Sequence, residues 1–276
     1  MVDLKYVKRK RFRAIVLFVT SVSIILITPF FILPFIGKSI GRFTIGLKNF
    51  DVSLSLSDSK DFTDSYTIKT FDKLPPYLTY SNSFINKNYT DEYLDSEESN
   101  GKVGERINPK TEEVTALQFF KHTFYVKNTG NTFARYDIKF NIVENIRPTN
   151  VQYSLDDILR VRWYENEDDT HNYETFAKKE AKPALDENGE ITYDACVDAK
   201  KTDSGYECIN GHATQFSGDE QVFESSVSRF APGQIRRYTL IMWLEGTDVQ
   251  VKGTTPNNTL LKLAIDINAY EDSNEG

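Results

Sequence analysis

Hydrophobic positions follow two regimes along this 276-residue chain. Residues 14–37 form a predominantly apolar run, 24 positions without a charged side chain. A helix rising about 1.5 Å per residue crosses the roughly 30 Å hydrocarbon core of a bilayer over such a length. Beyond Gly37 the pattern becomes alternation. Val52, Leu54 and Leu56 alternate with serines, and Tyr136, Ile138, Phe140 and Ile142 alternate with polar residues. A period of two sets one side of a strand against a core. The same reasoning predicts strands at 66–71, 123–127, 159–164, 237–244 and 260–270. Asn128-Thr129-Gly130-Asn131 supplies a turn between strands, and Asn188-Gly189 is a hairpin signal. Only residues 172–182 suggest a further helix, a short one. The prediction is an all-β fold, an antiparallel β-sandwich or jelly roll, behind one N-terminal transmembrane helix.

Charge orients the anchor. Lys8-Arg9-Lys10-Arg11-Phe12-Arg13 precedes the apolar run, and such clusters stay on the cytoplasmic side. The expected organisation is a basic cytoplasmic tail over 1–13, a signal-anchor over 14–37 and an extracellular domain over 38–276. Pro29 and Pro34 interrupt helical hydrogen bonding. A helix stopped at Pro29 would have signal-peptide length, which leaves cleavage near residues 38–41 as the alternative. Pro75-Pro76 and dense polar composition mark insertions near 75–115 and 165–221.

The whole chain carries a formal −7; beyond residue 13 it holds 27 Lys and Arg against 39 Asp and Glu, a net −12. Nucleic acid is therefore a poor partner, since phosphate contacts need clustered cations. Cys196 and Cys208, the only cysteines, stand twelve positions apart. Outside a cell such a pair predicts a disulfide closing a loop, stabilising by about 3 kcal/mol in the chain-entropy picture. Zinc would need two more ligands, with His212 the nearest candidate. His122, His171 and His212 show no metalloprotease spacing, and no nucleophile elbow, phosphate loop or dinucleotide fingerprint occurs. The acidic run 165–171 and Asp186-Glu187-Asn188-Gly189 offer oxygens that suit Ca²⁺, although solvated loops explain both. No catalytic, cofactor-binding or metal residue is assigned from the sequence; Cys196 and Cys208 are the only assigned pair.

One block is more distinctive than its strand pattern requires: Ser228-Arg229-Phe230-Ala231-Pro232-Gly233-Gln234-Ile235, continuing to Trp243-Leu244-Glu245-Gly246-Thr247-Asp248. It reads as a Pro-Gly turn feeding a central strand with Trp243 in the core. With Phe43-Thr44-Ile45-Gly46, the 52–56 strand, Phe124-Tyr125-Val126-Lys127-Asn128-Thr129-Gly130 and Leu263-Ala264-Ile265-Asp266-Ile267, it resembles the TasA/camelysin family of Gram-positive biofilm-matrix and envelope proteins. Family members are exported through a cleaved signal peptide, whereas this chain reads as anchored. The resemblance implies a cell-surface structural or interaction role, and the missing motifs and unpatterned histidines add the expectation of no turnover chemistry. Exposed sheet edges offer self- or partner-association by strand pairing, with 52–56 as the first edge to test. Two alternatives stand beside it. One is an extracellular module binding a cell-wall polymer or secreted protein through the Tyr-rich stretch 77–93, and the other is a surface hydrolase with an unrecognised site.

Overall fold

The alternation resolves into nineteen strands and one helical turn among the described residues. In this computed structural model those residues are 39–50, 53–71, 79–80, 105–107, 114–116, 120–147, 149, 153–166, 173–180, 184–186, 188–203, 205–248 and 259–272. All of them belong to one unit, Lys38–Gly276. The predicted anchor and tail, most of the 75–115 insertion and His171 lie outside the described residues. Among the described residues no helix is long and apolar enough to cross a membrane.

The first strands are β1 (Ser39–Phe50), β2 (Leu54–Ser57), β3 (Ser65–Tyr66), β4 (Ile68–Phe71), β5 (Thr79–Tyr80), β6 (Glu105–Ile107) and β7 (Val114–Ala116). Then come β8 (Phe120–Asn128), β9 (Ala134–Ile146), the helical turn α1 (Leu155–Ile158), β10 (Leu159–Asn166) and β11 (Tyr173–Ala177). The insertion holds β12 (Ala184–Leu185), β13 (Ile191–Thr192), β14 (Cys196–Thr202), β15 (Gly205–His212) and β16 (Thr214–Gln215). The chain closes with β17 (Gln221–Phe230), β18 (Ile235–Glu245) and β19 (Leu260–Glu271).

Two large sheets share one hydrophobic core. Sheet one has the order β17-β9-β19-β1-β4, and sheet two runs β16-β11-β10-β18-β8-β2-β3 with β5 beside β18. Period-two patterning explains sheet one: Phe43, Ile45 and Leu47 line up with Leu263, Ile265 and Ile267. Those three lie opposite Ile142, Phe140 and Ile138. All nine are buried. Aromatic rings fill the gap between sheets. Phe43 meets Phe120 with ring centres 5.1 Å apart, and the Tyr136 and Tyr238 hydroxyls share a hydrogen bond of 2.7 Å.

The purely antiparallel expectation needs correcting, because β1 and β19 pair in parallel. The alternating pattern is the same for either strand direction, so it carries no sign of this. The predicted strand 66–71 also divides between sheets. Tyr66 pairs in sheet two, whereas residues from Ile68 pair in sheet one. The edge expected at 52–56 is covered in part: Leu54–Ser57 pairs with β8, Leu56 and Ser57 pair also with β3, and Val52 lies outside the described residues. The short helix expected over 172–182 is instead strand β11, where Tyr164↔Tyr173 through Arg160↔Ala177 extend the sheet. The one helical turn comes earlier. There Ser154 N donates to Asp157 Oδ2 at 2.8 Å, following the Ser-x-x-Asp capping pattern.

Asn128-Thr129-Gly130-Asn131 carries the chain from β8 in sheet two to β9 in sheet one. The buried Asn128 side chain holds this arch together. Its Nδ2 donates to Thr132 O at 2.9 Å and Phe230 O at 2.8 Å, and its Oδ1 accepts from Gly130 N at 2.9 Å. Its backbone carbonyl accepts from Gly233 N of the Pro-Gly turn at 2.8 Å. Gly233 has φ +77, a conformation that L side chains avoid. Asn128→Ala would remove the side-chain donor to the buried Phe230 carbonyl and to the partly buried Thr132 carbonyl, so it should destabilise the domain by about 2–4 kcal/mol. Thr129→Ala, which removes an exposed contact to Ser53 O, should change stability by less than about 0.5 kcal/mol. Urea denaturation of the two variants checks the contrast.

Candidate functional site

At the side where β17 ends sheet one and β11 and β16 end sheet two, inner-face residues of both sheets remain reachable. They line a cleft of about 590 Å³, within the usual range for ligand sites. Trp163, Phe176 and Phe223 form its floor. Phe176 stacks on Phe223 at 4.8 Å, and Trp163 meets Phe223 at 5.1 Å. Strand alternation places Glu174 opposite Trp163 and Phe176 opposite Val161. The rim is polar: Glu165, Glu174, Glu224, Thr214, Gln215, Ser217 and Ser225, with Tyr173 half exposed beside them. Glu165 accepts from Trp163 Nε1 at 3.0 Å and Ser225 Oγ at 3.1 Å. Glu174 accepts from Thr214 Oγ1 at 2.6 Å, and Glu224 pairs with Lys139 at 3.0 Å. An aromatic floor under a carboxylate rim can hold an apolar stem that ends in a cation.

His122 faces the inter-sheet core, not a cleft. It is fully buried, with the Phe71 ring centre 4.8 Å away and Phe124 stacked at 6.0 Å. Asp58 Oδ1 is 3.4 Å from Nε2. Asp58 also accepts from Tyr66 and pairs with Lys69. A histidine, an acid and a hydroxyl therefore do converge, but aromatic rings close around the imidazole. Burial holds its pKa well below the ordinary value, and Lys69 and Lys121 push the same way. Its position inside sheet two makes it a neutral core group.

The outer face of sheet two is buried along its central strands β10 and β18 as well, so the alternation of 159–164 does not mean one wet face. Arg160, Arg162 and Tyr164 on β10, with Ile241 and Trp243 on β18, are all hidden from solvent. Trp243 is buried as expected, but on this face and not in the shared core. Arg160 Nη2 contacts Asp248 Oδ2 at 3.0 Å, Cys196 O at 3.3 Å and Glu180 Oε1 at 3.4 Å. Glu245 accepts from Trp243 Nε1 at 2.9 Å and Thr247 N at 3.0 Å. Burial pushes the Glu245 carboxyl up despite Arg160 and these donors. Burial also opposes the Arg160 charge, yet Asp248 and Glu180 hold its pKa above the ordinary value. This network ties β10, the end of β18 and the insertion into one piece. Sequence reasoning missed it because Arg in alternation normally means a wet face. The added signal was two arginines alternating with apolar residues in β10, with Glu245 and Asp248 clustered where β18 ends.

Cys196 and Cys208 lie at disulfide distance, with Cα atoms 5.1 Å apart, and staple β14 to β15. His212 stands opposite Cys196, and the ligand atoms of all three residues fall within 4.8 Å of one another. With the sulfurs joined, neither is a thiolate that could hold a metal. Asp186 spends its carboxylate on the Asn-Gly turn, where Oδ1 accepts from Glu190 N at 2.8 Å and Asn188 N at 2.9 Å. Those bonds lower its pKa. Most of the acidic run 165–171 lies outside the described residues.

Comparison with known protein families, curated proteins and solved structures finds no match.

Two outcomes follow from burying these titratable groups. Unfolded, His122 titrates near its ordinary 6.5; folded, its pKa is well below that value. As pH falls the unfolded chain takes the proton first, so stability present above pH 6.5 is lost below it. Relative to His122→Phe, the wild type should lose about 1.4 kcal/mol per pH unit below 6.5, until the folded imidazole titrates. Denaturation series at stepped pH check this. Arg160→Met should destabilise by about 3–5 kcal/mol, because it strands the buried carboxylates. The same assay at neutral pH reads that loss.

Proposed function

We propose that this chain is a membrane-anchored cell-surface protein, its N-terminus cytoplasmic and its β-sandwich domain extracellular. Its role is structural or interactive, of the envelope or biofilm-matrix type, and involves no turnover chemistry. The sequence resemblance to TasA/camelysin proteins and the basic cluster before the apolar run support the setting. The carrying observation is the free side of β17. Among the described residues this ten-residue strand ends sheet one and pairs only with β9. The other ends of the two large sheets are β4, with four residues, and β3 and β16, with two each. Short edges resist pairing, while a long one is a template for an added strand.

A second reading, a binding module, is favoured by the cleft with its aromatic floor and acidic rim. The Tyr-rich stretch 77–93 first suggested for that role lies almost wholly outside the described residues.

Topology and edge can be tested in one cell experiment. Proteinase added to intact cells should remove the domain and spare an N-terminal tag. Ser226→Lys, on the exposed part of β17, should reduce cross-linked assemblies of the surface protein several-fold. Unchanged cross-linking by a folded, surface-exposed variant would overturn edge pairing, and a protected domain would overturn the topology.

A further inference from the structure

The open edge and the cleft are built from the same residues. Phe223, Glu224 and Ser225 belong to β17 and also line the cleft wall. A strand added to β17 would run about 4.8 Å beyond it and so lie along the cleft mouth. Alternate side chains of that strand would then point into the cleft, and the rest would point outward beside Glu224.

What the cleft selects follows from its charges. Among the described residues three glutamates line it and no lysine or arginine does, with Glu224 paired to Lys139 outside the lining. Glu165 and Glu174 have only neutral hydrogen-bond donors among the described residues. Below them lie the Trp163, Phe176 and Phe223 rings. A lysine or arginine stem packs on such rings while its head reaches the carboxylates. A second copy of this chain suits the site poorly, because the sequence beyond residue 13 carries a net −12. Two bulges, at Gln221/Phe223 and Val227/Phe230, limit regular pairing to the five residues between them.

We propose that β17 and its cleft together dock an extended strand of a partner protein that carries lysine or arginine at alternate positions. This inference rests on the edge-pairing reading and adds the partner's chemistry and the place where it binds.

The test uses the full chain in detergent and a synthetic peptide of alternating Lys and Val, read by fluorescence anisotropy. The peptide should bind and weaken with added salt, and its Glu/Val counterpart should not bind. Glu174→Gln together with Glu224→Gln, both exposed positions, should weaken it at least about tenfold. N-methylation of the peptide backbone should abolish binding by blocking added-strand hydrogen bonds. Binding that resists the glutamine pair but falls with N-methylation would overturn the charge selection and leave edge pairing intact. Equal binding of the N-methylated peptide would overturn strand docking and make the cleft a simple amine site, which an amine-bearing glycan would then also fill. No peptide binding alongside self-association lost in Ser226→Lys would make a second copy the occupant and overturn this inference alone. No peptide binding and no edge-dependent association would overturn both readings.

Discussion

The parallel pairing of β1 with β19 is the constraint on which the rest of the domain depends. These two strands are the first and last of the described chain, and they lie side by side inside sheet one from Ser39↔Leu260 to Phe50↔Ala269. β19 also pairs along its length with β9, so its removal would leave Phe43, Ile45 and Leu47 without the row they pack beside. Parallel neighbours need a long connection, and here everything between residues 50 and 260 serves as one. Most stabilising contacts are therefore remote in sequence, and such topologies fold slowly. The N-terminal strand has nothing to complete it until the C-terminal strand exists.

A second constraint comes from burying both faces of sheet two. The inner face meets this with aromatics and aliphatics, but the outer face contains Arg160, Glu245 and Asp248 with almost no solvent contact. Buried ions of this kind add little net stability and are severely destabilising when one partner is removed. They do fix position. Arg160 reaches the Cys196 carbonyl as well as Asp248, so the stapled insertion is aligned with the central strands by directional bonds. The disulfide then holds β14 against β15 inside that insertion. Two kinds of crosslink act in series, one covalent and one ionic.

These features differ in how far the sequence reveals them. Strand positions were legible wherever one face is dry and the other wet, as at Tyr136, Ile138, Phe140 and Ile142. The Asn188-Gly189 hairpin was legible because Gly189 takes a positive φ of +81. Sheet membership was not, since the step from Tyr66 to Ile68 between sheets leaves no mark on alternation. Nor was β11, where Tyr173-Glu174-Thr175-Phe176-Ala177 is short and mixed enough to fit either period. Glu174 and Phe176 became cleft residues only because β11 is next to the end of its sheet. The cleft is thus a property of sheet order, which local patterning does not encode. Asn128 is an intermediate case. Its Asn-x-Gly context signalled a turn, but the bonds to Phe230 and Thr132 that explain it come from the arch.

The same sheet order leaves β17 exposed, and its ends show how that exposure is confined. Ser217 N already bonds Val222 O at 3.1 Å. At the far end Arg229, at φ 54, gives its N–H to Asp272 Oδ2 at 2.7 Å, and Phe230 O is taken by Asn128. Bulges beside both ends turn the strand out of register. Such devices commonly protect edges from indiscriminate pairing. Here they act at the termini and leave the middle regular, where Glu224 and Ser226 are exposed. Net negative charge adds a weak guard against like copies, effective only within about a Debye length of 8 Å. An edge protected at its ends, screened by charge and bordered by an acidic cleft excludes long apolar strands and like-charged ones. A short strand of opposite charge meets none of those barriers.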